Sequence, residues 1–247
     1  MRQVFTTEEK MGRWEDLREI KNLMGRLSTD YVLKRQREMF RTYWSTREDV
    51  CLGINEGWFT GRTHVARYYD VQAERIALES RLIQQAFPEE LGGKTPEEVY
   101  GVGMMDYKPV DTPVVEIAGD GQTAKGIWCL RGSHSVLTPG GPQAFWEWGW
   151  FAADFILEDG DWKLWHLLYL QEVLRPCGSK WTGPAPAYPE RPEFAAVRDF
   201  QPARPNVPAV LRERYHAARS FAPAPRLPEP YQTFSETFSY GWEGDTP

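Results

Sequence analysis

The chain has 247 residues, with 29 Lys+Arg against 35 Asp+Glu and a formal net charge of -6. That balance offers no basic footprint for nucleic acid or an anionic membrane, and no run of about 18 apolar residues exists to span a bilayer. Three cysteines, Cys51, Cys129 and Cys177, are odd in number and far apart, which fits reduced thiols in a cytoplasmic protein better than a disulfide framework.

The first residues, M-R-Q-V-F-T-T-E-E-K, lack the apolar core of a secretory signal. Within them, Thr6 and Glu9 form a capping box that opens a helix. That helix sets Trp14, Leu17, Ile20, Met24, Leu27 and Tyr31 at helical spacing, a stripe expected to lie on a sheet. A second helix is expected over Leu33–Trp44, a short strand over Val50–Ile54, and a long helix from near Gly61 to Ala86, stopped by Pro88. Thr95 and Pro96 start a further short helix, after which the chain enters its strands.

Residues 111–172 read as two long antiparallel hairpins, turning at Asp120-Gly121 and Asp159-Gly160. Asp-Gly between apolar runs is a strong hairpin signal, because both turn positions need positive φ. With a two-residue loop, Glu158 faces Asp161, and alternation sorts the side chains. One face carries Phe151, Ala153, Phe155, Leu157, Trp162, Leu164, His166 and Leu168; the other carries Trp148, Trp150, Ala152, Asp154, Ile156, Lys163, Trp165, Leu167, Tyr169 and Gln171. Both are rich in large apolar groups, so one should cover the core and the other meet a second subunit or the chain's own tail. Sheet-to-sheet homodimerisation is the expectation for the first case. Glu116 opposite Lys125 reads as a cross-strand ion pair.

After Arg175 the composition changes, with thirteen of the 19 prolines between Pro176 and Pro247. One helix is plausible, about Val207–Ser220. Aromatics from Trp181 to Trp242 argue against a disordered tail. The expected organisation is a domain over 1–175 and an extended Pro- and aromatic-rich arm over 176–247 that wraps the domain or a partner subunit.

The order of elements and the stretches I20-K-N-L-M-G-R26, G57-W-F-T-G61, T112-P-V-V-E-I-A-G-D-G-Q-T-A-K-G-I-W128 and D154-F-I-L-E-D-G-D-W-K-L-W-H166 resemble the SnoaL-like branch of the NTF2-like superfamily over roughly residues 14–172. The resemblance implies an α+β cone: a curved antiparallel sheet packed on N-terminal helices, with a cavity between them. It also implies the activities of that superfamily, which include polyketide cyclases, ketosteroid isomerases and dehydratases beside non-catalytic binding or assembly proteins. Catalytic members resembling this chain use a Tyr and an Asp or His on the first helix and a His on a strand entering the cavity. Leu27 stands at the helix-one Tyr position, with Asp30 and Tyr31 nearby, and the strand His position falls near Lys108, beside Asp106 and Tyr107.

Read as chemistry, His166 on the presumed cavity face is the candidate proton carrier, with a hydrogen-bonded core histidine as the alternative. Asp30 and Tyr31 are candidates for base and enolate holder. Asp106 and Lys108 share one strand parity and Tyr107 has the other, so only one set faces inward; a cavity Lys would polarise a carbonyl or form a Schiff base. Trp128, His134 and Phe151 complete the candidate substrate contacts, Trp128 as ligand wall or core plug and His134 from a loop over the mouth. No metal is expected, since the four histidines lack ligand spacing and no Cys-x-x-Cys occurs, and no cofactor, since phosphate-cradling and dinucleotide motifs are absent. Two readings follow: a cofactor-free lyase or isomerase acting on a hydrophobic aromatic or polycyclic carbonyl compound, or a binding or assembly module without chemistry.

Overall fold

The structure is a computed structural model and describes residues 5–180, 188–218 and 225–244. Helix α1 (Thr7–Val32) starts on the expected capping box, Thr6 with Glu9. Its stripe buries Ile20, Met24, Leu27 and Tyr31, whereas Trp14 is left exposed.

The second helix, α2 (Gln36–Tyr43), begins three residues later than expected. The chain turns first: Lys34 takes the left-handed conformation at φ 59°, while Lys34 N donates to Tyr31 O and Arg35 N to Asp30 O. That pair of bonds is a Schellman ending, whose left-handed position favours glycine; a lysine there costs on the order of 1 kcal/mol.

Two short strands, β1 (Cys51–Ile54) and β2 (Gly57–Thr60), precede the long helix α3 (Arg62–Ala86). Short helices α4 (Pro88–Leu91) and α5 (Pro96–Val99) lead to β3 (Asp106–Tyr107), β4 (Val110–Ile117), β5 (Thr123–Thr138), β6 (Gly141–Glu158) and β7 (Asp161–Pro176), and β8 (Val207–Pro208) closes the list. The sheet is open and curved, in the order β3-β5-β6-β7-β1-β2-β8, with β4 also on β5. It is mixed rather than antiparallel throughout, because β1 runs parallel to β7.

The β6–β7 turn is as read: Asp159 and Gly160 both have positive φ and Glu158 faces Asp161. The turn before β5 is wider. Ala118 N bonds Thr123 O, and of Asp120 and Gly121 only Gly121 is left-handed. Outward from Asp159-Gly160, the register holds to Phe155 opposite Leu164 and then slips, so that Asp154 faces His166. Trp165 is the extra residue of a β-bulge. From there to Gln171 the β7 side chains change face: His166 and Leu168 point outward with Asp154 and Ala152, while Leu167 and Tyr169 point inward with Ala153 and Phe151. A second slip lies between Trp148 and Gly149.

The inner face packs on α1 and α3 in one core that includes Trp128, Phe151, Phe155 and Leu164. A Cβ on Gly126 would collide with the Trp128 ring, so the small neighbour is what lets this indole lie flat in the core.

The outer face carries the chain's own last described segment, with Tyr240 on Ile127 and Ala152 and Phe238 beside them. Its anchor is Asp154, fully buried, which accepts from Lys125 Nζ (2.6 Å), Ser239 Oγ (3.1 Å) and Tyr240 N (2.7 Å) and pairs with His166 Nδ1 at 2.8 Å. Lys125 sits opposite Glu116 in the ladder as read, but its ammonium bonds Asp154 instead. Around that ammonium stand the rings of Phe234, Phe238, Tyr240 and Tyr231, at 4.4, 4.7, 5.3 and 5.9 Å, within cation–π range.

Residues 188–208 take another route. Phe194 and Val197 are buried against Leu82, Ile83 and Leu137, and Asn206 clamps Thr60 through its backbone N–H (2.9 Å) and hydroxyl (2.7 Å). The helix expected over Val207–Ser220 is not formed through residue 218; Val207–Pro208 instead pairs with the free edge of β2, and residues 219–220 lie outside the described residues. Trp181 also lies outside them.

Replacing Asp154 by Ala leaves the Lys125 ammonium buried without its carboxylate. Urea unfolding should show a loss of roughly 3–5 kcal/mol, and limited proteolysis should release the segment around Ser239–Tyr240 first; a loss below about 1 kcal/mol would mean that the cluster is not an anchor.

Candidate functional site

A cavity of about 440 Å3 lies between the end of α1, α3 and the inner face of the sheet, within the size range of small-molecule sites. Its polar wall is built by the far halves of β5, β6 and β7 with β3. Asp106 is paired with His134 across β3–β5. Glu147 projects inward from β6 and Tyr169 from β7, the latter because of the Trp165 bulge. Ser28 Oγ of α1 donates to Lys108 O at 2.5 Å, which fixes Lys108 between helix and sheet.

Glu147 is fully buried and is the centre of the site. Its Oε2 accepts from Lys108 Nζ at 2.5 Å and from His134 Nδ1 at 3.0 Å. Its Oε1 accepts from Tyr169 Oη and from Gln171 Nε2, the latter at 2.7 Å. Lys108 Nζ also donates to Tyr169 Oη at 2.9 Å, pairs with Asp106 at 3.1 Å, and lies 5.4 and 5.2 Å from the Tyr31 and Tyr169 ring centres. Phe145 stacks on the His134 ring.

Burial on its own would raise the Glu147 pKa, but Lys108 and the His134 and Gln171 hydrogen bonds outweigh it and hold the group at about 2. Burial would likewise lower the Lys108 pKa, and Asp106 and Glu147 more than reverse it, so the ammonium stays charged above the ordinary lysine range. An amine held in that state is a hydrogen-bond donor, not a Schiff-base nucleophile. Burial first, then Tyr69 and Tyr68, lifts the Tyr31 phenol well above its usual value, so it stays protonated. Because Glu147 is a carboxylate, Nδ1 of His134 is the donor in their contact, and in a neutral ring Nε2 is then the acceptor. One element set therefore offers a proton acceptor next to a fixed cation.

Of the residues singled out in the sequence, Tyr31, Asp106, Lys108 and His134 line this cavity. Tyr107 has the opposite parity and is 55% exposed. Trp128 and Phe151 belong to the core beneath, Trp128 edge-on to Phe155 and Phe151 stacked on Tyr169. Asp30 faces α2, where Tyr43 Oη donates to it at 2.6 Å. His166 lies on the outer face with Asp154, beneath Ser239 and Phe234, because of the bulge. Glu147, Tyr169, Gln171 and Lys34 also line or frame the site and were not singled out. For Glu147 a signal existed: carrying the Phe155, Ala153, Phe151 alternation further back along the strand leads through Gly149 to a lone carboxylate between two tryptophans.

Asp106, His134 and Glu147 bring ligand atoms within 4.8 Å of one another, the one such group found among the described residues. The Lys108 ammonium already rests on two of them, so a metal ion would compete with a built-in cation.

Helices over one face of an open, curved sheet, with a partly polar cavity between, define the cone class of α+β proteins. Residues 104–167 match the model of the SnoaL-like domain. No curated protein matches the sequence. Among solved structures, the chain is similar to a Mycobacterium tuberculosis protein described as of unknown function (14% identity, 85% of this chain and 100% of that one, TM-score 0.46). It is also similar to a hexachlorocyclohexane dehydrochlorinase from Novosphingobium barchaimii (14%, 71% and 99%, TM-score 0.48) and a putative scytalone dehydratase from Novosphingobium aromaticivorans (13%, 72% and 94%, TM-score 0.42). No helix among the described residues is long and apolar enough to cross a membrane.

The lowered pKa of Glu147 fixes the sign of an acid effect. Its contribution to stability is complete above its ordinary value of 4.5 and is lost as pH falls toward about 2. Melting temperatures measured between pH 5 and 2.5 should therefore fall less steeply for Glu147→Gln than for the wild type, from a lower starting value.

Proposed function

We propose that this protein binds a hydrophobic aromatic or polycyclic carbonyl compound in the cavity and acts on it as a cofactor-free lyase or isomerase. The observation that carries the proposal is the shared carboxylate: Glu147 holds His134 through Nδ1 and Lys108 through Nζ, at 3.0 and 2.5 Å, in the wall of one cavity.

The roles follow from the donors and acceptors. His134 Nε2 takes a proton from the carbon beside the carbonyl, and Glu147 stabilises the resulting imidazolium. The C–H electrons move into an enolate, whose oxygen is met by the Lys108 ammonium. Return of the proton to a different carbon completes an isomerisation; departure of a group from the β carbon, with its bonding electrons, completes an elimination. Asp106 keeps Lys108 aimed, and the Tyr31 ring backs the ammonium. His166, the proton carrier expected from the sequence, is replaced in this role by His134.

Hydrogen–deuterium exchange at the α carbons of 2-tetralone in D2O, followed by NMR, tests the first step without knowledge of the natural substrate. The wild type should accelerate exchange, and His134→Gln should remove about 100-fold or more of that acceleration. His166→Gln, compared at equal folded fraction, should leave it unchanged. Exchange that survives His134→Gln would remove this histidine from the chemistry, and a wild type without any acceleration would leave a binding module.

A further inference from the structure

Lys34 is built into the cavity at a cost that packing does not explain. It sits in the left-handed position after α1, at φ 59°, where glycine is the favoured residue. Its side chain is only 8% exposed. The stem crosses Gly101, and a Cβ there would stand 2.9 Å from Lys34 Cγ, so the glycine clears its path. The side chain ends in the cavity wall, where its one ion-pair partner is Asp106, at 3.7 Å. That distance is beyond hydrogen bonding, and the same carboxylate is held more closely by Lys108, at 3.1 Å. The contrast with Lys108 is direct: that ammonium donates to Glu147 and Tyr169, whereas Lys34 Nζ has only the longer contact with Asp106. Buried cations are ordinarily paired and hydrogen-bonded.

We infer that Lys34 is a ligand-binding cation that takes a second oxygen of the bound molecule, beside the one taken by Lys108, so that the cavity selects β-dicarbonyl compounds over matched monoketones. This rests on the reading of the cavity as a carbonyl site. The two lysines share Asp106, Lys108 on Oδ1 and Lys34 on Oδ2, and both line the same cavity. A molecule with two oxygens on a short carbon bridge meets both, and a monoketone meets one. Burial, partly opposed by Asp106 and reinforced by Lys108, lowers the Lys34 pKa, which also suits a donor to a developing enolate.

The test uses two probes of equal bulk that differ by one carbonyl oxygen, 2-acetyl-1-tetralone and 2-ethyl-1-tetralone, with dissociation constants from calorimetry. The wild type should prefer the diketone by about tenfold, the value of a hydrogen bond from a charged donor. Lys34→Met, which keeps the stem over Gly101, should lose that preference and bind the monoketone as before; Lys34→Arg should retain part of it. Without ligand, Lys34→Met should melt at or above the wild-type temperature, because an undercompensated buried charge has been removed. Equal wild-type affinity for the two probes, a preference that survives Lys34→Met, or a fall in melting temperature showing that the Asp106 pair is structural, each overturns the inference while leaving the carbonyl site standing. Binding of neither probe to the wild type overturns the carbonyl site and this inference together.

Discussion

One extra residue in β7 decides what each face of the sheet contains. Side chains along a strand alternate, so inserting Trp165 into the β6–β7 ladder exchanges the faces of the residues from His166 to Gln171. Without the bulge His166 would face the inner side and Tyr169 the outer one. With it, Tyr169 reaches Glu147, and His166 joins Asp154 on the outside. Trp165 is held in place by its own contacts: the indole N–H donates to Asp49 at 2.9 Å, Arg47 lies over the ring, His166 stacks on it and Phe234 packs tilted against it.

The result is a buried carboxylate on each face, solved in the same way but for different ends. Both Glu147 and Asp154 are fully buried and each gathers a lysine, a histidine and further donors. Such charges are stabilising only when nearly every lone pair is used. On the outside the donors include Ser239 and the Tyr240 backbone, so the carboxylate fastens the chain's own later residues. On the inside the donors are the cavity wall, and Nε2 of His134 remains available. The same pairing chemistry gives attachment on one side and a poised acid–base group on the other.

Most of the fold was legible because its signals are local. The Thr6–Glu9 capping box, the Thr95-Pro96 helix start, the Asp159-Gly160 turn and the stop before Pro88 each act within a few residues. The bulge was not legible, because no residue type marks it and its cause is tertiary, in Asp49, Arg47 and Phe234. That single miss carried His166 to the wrong face and hid Tyr169. Lys34 was hidden for another reason: helix periodicity ran through it, and the left-handed turn that aims it is set by bonds to Asp30 and Tyr31. The strand at Val207–Pro208 likewise depends on the free edge of β2, which no window around those residues contains.

The cavity is also closed by residues that come late in the chain. Phe200, Pro202 and Ala203 line it between two fastenings, Phe194 and Val197 on one side and the Asn206–Thr60 clamp on the other. The matched SnoaL-like segment ends at residue 167, so this wall comes from sequence beyond it. During synthesis the helices and the long hairpins are complete before the wall has been made. Until then the cavity beside Lys108 and His134 lacks this wall and is more open to water, where charge–charge attraction is weaker. Phe200, Pro202 and Ala203 add to the dry surroundings in which that pairing is strong.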